Sequence, residues 1–521
     1  MGNKNKNPQL DFGRKGPLTP RPIPRDLEFI EEYWIKEPFL KVRIGRDAHR
    51  KILIYGIDEV VLTPQEINIY ERIIETLQYE LKLPRTSVDP RTYFEENAIR
   101  IVERYKMDIG GTPNISWAKT LYFAERDMVG FSAIDVLMRD TTIEDISIDG
   151  VSKPVFLWHR KYESMETNLF FDNDQDLDDI ISRLVHLGGK HISTAYPIVD
   201  GTLPGRHRLA ATFRREITPY GGTATIRKFR EDPVTIIDLL NFGTIDHRVS
   251  AYAWLLMEHR ASTIIVGSTA SGKTTFLNAM LSMLRPASKI ITIEEVQEIN
   301  IPHENWISML SRPSYGLSVE KIGEVNLFDL VKAAMRMRPD MLAVGEIRGE
   351  EAYVLFQAIS TGHGGICTLH AEEVTSAMQR LVSKPMDVAP AYIAYLDLVF
   401  LVRRVALPVK EGNQQRYVRR LLAVDEVVKF GEYIRMFEWN PNTDTHILNK
   451  DGFRASFKIK RLAKDLGKKI DELVDELEKR VLVLKWLQEQ GVRDHKKLAV
   501  VFEQYHYDPV SVLNAMSEKS E

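Results

Sequence analysis

Nine consecutive residues constrain this chain more than any others: Gly267, Ser268, Thr269, Ala270, Ser271, Gly272, Lys273, Thr274 and Thr275. A short apolar run, 262–266, precedes them and a helix-like pattern, 276–281, follows. Strand, glycine-bounded loop, lysine, hydroxyl, helix is the order that a polyphosphate-binding P-loop requires. Gly267 and Gly272 let the backbone turn so that successive N–H groups face a phosphate, and the helix that opens there adds its positive end. Lys273 can then reach β- and γ-phosphate oxygens, and Thr274 can offer a hydroxyl to Mg²⁺. The alternative is a glycine-rich turn before a helix, and the apolar run ahead of the loop weighs against it. All nine residues are candidates for holding a nucleoside triphosphate.

At 521 residues the chain is too long for one core, and two to four domains are expected. A net charge of −3 with 27% charged residues gives no sign of a protein saturated with nucleic acid. Charge is unevenly placed: residues 1–25 carry lysines and arginines with Asp11 as their one carboxylate. The single cysteine, Cys367, excludes an internal disulfide and fits a reducing compartment. No apolar run approaches the roughly 18 residues needed to span a bilayer, and the first residues lack the apolar core of a secretory signal. A soluble cytoplasmic protein is expected, reaching a membrane only by docking on its cytoplasmic face.

Residues 1–28 read as a disordered basic tail, solvated or in contact with anionic lipid. Residues 29–120 read as a small α+β region. In it 39–44 and 51–57 alternate as partner strands, Thr63, Pro64 and Glu66 form a helix start, and Asp89-Pro90 repeats that device. Residues 121–232 read as a second N-terminal domain, with strands at 143–148 and 155–158 and helices at 132–138 and 176–187. Arg206, Arg208, Arg214, Arg215, Arg227, Lys228 and Arg230 accumulate there among strand-like residues. By charge alone they suit a solvated sheet edge and a phosphate-facing surface equally well. Glu231, Asp232 and Pro233 break the pattern, so 233–242 is expected to be a linker. From 243 to 455, strands at 263–266, 289–293, 341–344 and 365–369 alternate with helical patterns, which predicts an α/β fold with a mostly parallel sheet. Residues 456–521 read as a small helical region, with one apolar stripe through Leu466, Ile470, Leu473, Leu477, Val481 and Leu484 before a stop at Gly491. That stripe is expected to pack on the protein's own core.

Three further elements carry chemistry. The apolar strand 340–344 leads through Gly345 to Glu346, the layout of a Walker B segment, and Glu346 joins Thr274 as a candidate for Mg²⁺, directly or through water. A second strand ends in Glu294 and Glu295, either of which could orient or deprotonate water. His363 and His370 flank a glycine-rich strand, and one of them is a candidate sensor of the γ-phosphate. No Asn-Lys-x-Asp guanine-reading element occurs, because Asp451 stands one place early after Asn449 and Lys450.

Taken together, Ile293-Glu294-Glu295, Arg338-Pro339-Asp340, Gly345-Glu346-Ile347-Arg348 and Thr361-Gly362-His363 with Thr368-Leu369-His370 resemble the type II/type IV secretion ATPase superfamily. Stretches 140–150, 196–200 and 225–229 are similar to its archaeal branch, which drives type IV-like pili and archaella. The likeness covers roughly residues 30–510. It implies a RecA-like P-loop domain preceded by α+β N-terminal domains and followed by helices, assembled as a homohexamer. It also implies a Mg²⁺-dependent ATPase, peripheral at the cytoplasmic face of the membrane, that pushes on a polytopic membrane platform protein and so acts indirectly on pilin-like subunits. Residue by residue, Glu346 matches the Walker B glutamate, Glu294 and Glu295 the acidic box, and His363 and His370 the histidine box. Arg208 and Arg227 match N-terminal arginines that reach the phosphates, with Arg214 a weaker candidate. Gly345 stands where many such ATPases place a magnesium-holding Asp, and Glu295 where relatives often have Asp, so which carboxylate acts as base stays open. The tetracysteine module of some bacterial relatives is absent, so no zinc is expected. An archaellum assembly or rotation motor and a RecA-like DNA-binding or conjugative ATPase are the alternatives; no nucleic-acid partner is expected.

Overall fold

Two nine-stranded sheets organise the chain. The computed structural model describes residues 16–80, 89–107, 113–230, 232–312, 323–408 and 415–518, and the chain divides into two units, 1–230 and 231–521.

In the first unit, β1 (Leu27–Lys36), β2 (Leu40–Asp47) and β3 (Leu53–Glu59) form a meander, and α1 (Pro64–Glu80), α2 (Pro90–Arg104), α3 (Pro113–Met128) and the short α4 (Asp135–Arg139) follow. Then come β4 (Ile143–Ile148), β5 (Pro154–His159), β6 (Glu163–Phe170), α5 (Asp174–Leu187), β7 (Ile198–Leu203), β8 (His207–Thr212) and β9 (Thr223–Arg227). The strand order is β1-β2-β3-β6-β5-β4-β9-β8-β7, and only the β3–β6 pair is parallel. One sheet and one apolar cluster thus run through both 29–120 and 121–232. At that join the buried side-chain amide of Asn168 extends the ladder as a peptide group would, accepting from Ile57 N at 2.7 Å and donating to Ile57 O at 3.0 Å.

Helix starts follow the sequence signals. Thr63 N donates to Glu66 Oε2 at 2.7 Å, Glu66 N donates to Thr63 Oγ1 at 3.3 Å, and Asp89 caps α2 through Thr92 N at 2.9 Å. Of the stretch expected to be a disordered tail, residues 1–15 lie outside the described residues. Residues 16–26 run along the first unit, where Arg126 holds the Leu18 carbonyl and Gly16 N donates to Glu71. Arg126 is fully buried and neutralised by Glu59 and Asp127 at 2.8 and 2.9 Å. Lys228, grouped by sequence with the exposed arginines, instead turns inward to the Leu137 and Asp140 carbonyls, and burial pushes its ammonium down to about 8.

The second unit opens with α6 (Ile236–Asn241) and α7 (His247–Glu258). Residues 233–242, expected to be a linker, therefore hold a capped helix with Ile236, Ile237, Leu239 and Leu240 buried in the core. There follow β10 (Thr263–Gly267), α8 (Lys273–Leu281), β11 (Ile290–Glu294), β12 (Trp306–Leu310), α9 (Leu327–Met335), β13 (Met341–Val344), α10 (Glu351–Ser360), β14 (Gly364–His370), α11 (Val374–Val382) and α12 (Pro390–Ile393). The chain continues through β15 (Leu398–Pro408), β16 (Gln415–Lys429), β17 (Glu432–Asn440) and β18 (Thr445–Leu448), and then α13 (Lys450–Ala455), α14 (Phe457–Asp465), α15 (Ile470–Glu489), α16 (His495–Tyr507) and α17 (Pro509–Glu518). The sheet order is β12-β11-β13-β14-β10-β15-β16-β17-β18, parallel from β12 to β15 and antiparallel beyond. This is the RecA-like α/β arrangement, with one strand between the P-loop strand and the Walker B strand.

Both faces of the parallel part are dry. Ile265, Met341, Ala343, Ile366 and Phe400 face one cluster, shared with α7, α8 and the C-terminal helices. Ile264, Val266, Leu342, Val344, Cys367 and Leu401 face the other, shared with α9, α10 and α11. That is why these strands read as unbroken apolar runs rather than alternating ones. The antiparallel extension β15–β18, by contrast, has no counterpart among the expected strands. In the C-terminal helices Leu473, Val481 and Leu484 are buried in the first of these clusters, as expected, and Gly491 ends α15 with φ of 64°. Leu466 departs from the stripe, because it caps α14 and stays 38% exposed. Among the described residues no helix is long and apolar enough to cross a membrane.

Arg480 of α15 ties the C-terminal helices to α7. It is buried against Glu258 at 2.6 Å and Glu476 at 3.0 Å and stacks over Trp254 at 4.5 Å. Arg480→Ala leaves Glu258 buried without its main counter-charge, so a loss of roughly 3–5 kcal/mol is expected in chemical denaturation. A loss near zero would show that the pair contributes no net stability.

Candidate functional site

The carboxyl edge of the parallel sheet brings most of the expected site residues together. β10 ends at Gly267, level with His370 of β14, while Val266 pairs with Leu401 of β15. At Gly267 a Cβ would lie 2.3 Å from Val402 O and 2.5 Å from Ser271 Oγ, so only glycine fits. Beyond it the loop turns through two left-handed residues, Ala270 at φ 59° and Gly272 at φ 91°. Gly272 adopts this freely, whereas Ala270 pays roughly 1–2 kcal/mol for its Cβ. α8 then opens at Lys273, with Thr274 partly exposed and Thr275 exposed in its first turn. Ser268 and the exposed Thr269 form the outer lip of the loop, and Ser271 is buried beneath it. Lys273 Nζ lies 3.0 Å from Ser268 O. Burial lowers the Lys273 pKa, while the charges of Glu346 and Glu298 oppose that shift.

The acidic groups stand on the neighbouring strand ends. β11 and β13 pair with Ile293 opposite Val344, which sets Glu294 and Glu295 beside the turn that carries Glu346. Arg348 bridges the two more exposed carboxylates, at 3.4 Å from Glu295 and 3.0 Å from Glu346. Glu294 is buried. Its Oε1 accepts from Glu298 N at 2.9 Å and Ile299 N at 3.0 Å, and its Oε2 has no partner. Burial raises its pKa to about 7, against the opposing pull of those two N–H groups. The side chain lies against Gly345, where a Cβ would come within 3.2 Å of Glu294 Cγ. A side chain at 345 would therefore need Glu294 to give way by a few tenths of an ångström. Thr368 Oγ1 donates to Gly345 O at 2.6 Å and fixes this turn to β14.

The two histidines do not share the site. His370 ends β14 at the P-loop edge, with its carbonyl held by Arg380. His363 precedes β14, about 23 Å away along seven extended residues. There its Nδ1 lies 3.3 Å from Ala358 O, at the carboxyl end of α10. Arg208 and Arg227 belong to the first unit, where they stand directly opposite each other on β8 and β9. Like charges in that position are unfavourable. Arg227 is offset by Asp145 at 3.1 Å, and Arg208 is exposed. Arg214 and Arg215 are engaged by Asp178 and Asp174 at 3.0 and 3.2 Å.

Oxygen donors such as Thr274 and Glu346 suit Mg²⁺. No group of three or more His, Cys, Asp or Glu that could hold a metal occurs among the described residues. Sequence reasoning gave no role to Thr368, Arg348 or Arg419. Arg419 of β16 reaches the loop, donating to Ala270 O at 3.2 Å.

A family model described as "Type II/IV secretion system protein" matches residues 130–496. The chain is 30% identical over 474 residues to the uncharacterized protein MJ0900 of Methanocaldococcus jannaschii, covering 89% of this chain and 83% of that one. It is 41% identical over 237 residues to MJ0781 of the same organism, 44% of this chain and 32% of that one. Among solved structures, the X-ray structure of the Legionella pneumophila ATPase DotB aligns with a TM-score of 0.42 and 18% identity, covering 70% of this chain and 93% of that one.

The state of Glu294 is measurable. With a pKa near 7 when folded and an ordinary one near 4.5 when unfolded, the folded protein holds the extra proton between those values. Stability therefore falls as pH rises through that window, by roughly 3–3.5 kcal/mol in all. Glu294→Gln is expected to flatten that part of the stability–pH curve. An identical slope in the variant would show that Glu294 ionises normally.

Proposed function

We propose that this chain, which belongs to the type II/IV secretion system protein family, is a Mg²⁺-dependent ATPase of the secretion and pilus type. In this reading it works as a homohexamer at the cytoplasmic face of the membrane, coupling ATP hydrolysis to assembly of a type IV pilus-like filament or to secretion through a membrane platform protein. The observation that supports it most is the single sheet edge shared by the P-loop, Glu346 with its Arg348 partner, and the buried, unpartnered oxygen of Glu294.

The loop N–H groups and Lys273 would bind and orient the phosphates, and Thr274 and Glu346 would hold Mg²⁺. The ion held there would supply positive charge to offset the charge that builds on the transferred phosphate. Glu346, at the solvent side of the edge, is assigned to the attacking water. Glu294 is assigned a positioning role beside the Walker B turn, because its Oε1 is committed to the Glu298 and Ile299 N–H groups and its Cγ packs near Gly345, while its Oε2 is buried without a partner. Arg208 and Arg227 are assigned to the developing charge on the transferred phosphate, and their unfavourable cross-strand pairing fits a pair that meets an anion. His370 is assigned to sensing the γ-phosphate. His363 is assigned no part in the chemistry of its own subunit.

Phosphate release and nucleotide binding test this together, with Mg²⁺ and anionic-lipid vesicles present. Lys273→Ala is expected to lose both. Glu346→Gln is expected to keep ATP bound while turnover falls by about a hundredfold or more, and Arg227→Ala to bind ATP with turnover reduced by a similar factor. Intact ATP with the wild-type protein under these conditions would remove the motor reading, and an unchanged rate in Arg227→Ala would remove that arginine from the site.

A further inference from the structure

The β15–β16 hairpin carries on past the parallel sheet at the edge where the P-loop sits. β15 pairs with β10 only as far as Leu401 with Val266, and residues 402–408 continue beside β16 alone. On that extension Arg404 stands directly opposite Arg419. Arg404 is drawn over the Tyr417 ring at 4.8 Å, and Arg419 leans the other way, across the loop. Its Nε donates to Ala270 O at 3.2 Å, and its Cδ lies where a Cβ on Gly272 would meet it at 3.1 Å. The carbonyl it holds belongs to the one loop residue that combines a Cβ with a left-handed φ, 59°. Such a conformation persists only where its surroundings fix it.

We propose that Arg419 is a positioning residue for the nucleotide site, holding Ala270 in its left-handed conformation and so keeping the loop in the shape that receives phosphate. The inference rests on reading this loop as the ATP site. Arg419 acts through the Ala270 carbonyl. A residue there that needs no bracing makes the arginine dispensable, and glycine is such a residue.

The test is a double-mutant cycle on the full chain, with Mg·ATP binding followed by calorimetry. Arg419→Met keeps the aliphatic stem over Gly272 and removes the donor. It is expected to weaken Mg·ATP binding about fivefold, the scale of one charge-assisted hydrogen bond reduced by solvent exposure. The melting temperature is expected to stay within about 2 °C, because the side chain is exposed. In the Ala270→Gly background the same Arg419 change is expected to shift affinity less than twofold. Equal weakening in both backgrounds would show that Arg419 acts elsewhere than on Ala270, and unchanged affinity would show that it does not act on the loop; either overturns the proposal. So does a larger drop in melting temperature, which would make the residue a general support. A wild-type protein that fails to bind Mg·ATP would instead sink the ATP reading itself, before any variant is compared.

Discussion

The nucleotide end of the second unit depends on one close approach. The backbone of Gly267 passes so near Val402 that nothing larger than hydrogen fits between them. This contact lets β15 run alongside β10 to its last residues and then beyond, so the hairpin rises next to the loop instead of folding away. The placement of the rest follows. With β10 flanked by β14 on one side and β15 on the other, His370 reaches the loop level from one flank and Arg419 from the other, while Glu346 and Glu294 arrive one and two strands further out. Parallel strands make this possible because all their carboxyl ends open on the same side.

Where charges are matched, they belong to architecture; where like charges are gathered, the candidate chemistry lies. Arg126 and Arg480 are buried with two carboxylates each. By contrast, Glu295 and Glu346 share a single arginine, and Glu294 sits beside them with one oxygen unsatisfied. Arg208 and Arg227 repeat the pattern with the opposite sign in the first unit. Groupings of this kind cost stability and are kept where a ligand or a reaction repays them.

Much of this was legible in sequence for a simple reason: strands covered on both faces must be apolar throughout, so 263–266 and 341–344 announced themselves, as did the loop and the carboxylates at their ends. The antiparallel strands were not legible. In β15 the run Val402, Arg403, Arg404 and Val405 keeps neither a helical nor a two-residue period, and in β16 the extra residue Leu422, between the partners of Leu401 and Val402, shifts the register. That loss hid Arg419. The separation of the two histidines was present in the sequence all along, since a strand between them forces them to opposite edges of the sheet. The close approach of Glu294 to Gly345 was not, because it depends on how a neighbouring strand packs.

The first unit's sheet has a narrow waist. β3 and β6 are joined by the pairs Ile54 with Glu166 and Tyr55 with Thr167, fewer than any other neighbours in that sheet, and by the Asn168 amide. A fragment cut after residue 120 would tear this waist open, baring one edge of β6 and stranding a buried amide. An exposed strand edge of that kind is a template for self-association. Anyone trimming this chain for expression would therefore do better to cut near 230, where the two units part, than to divide the first sheet at its weakest point.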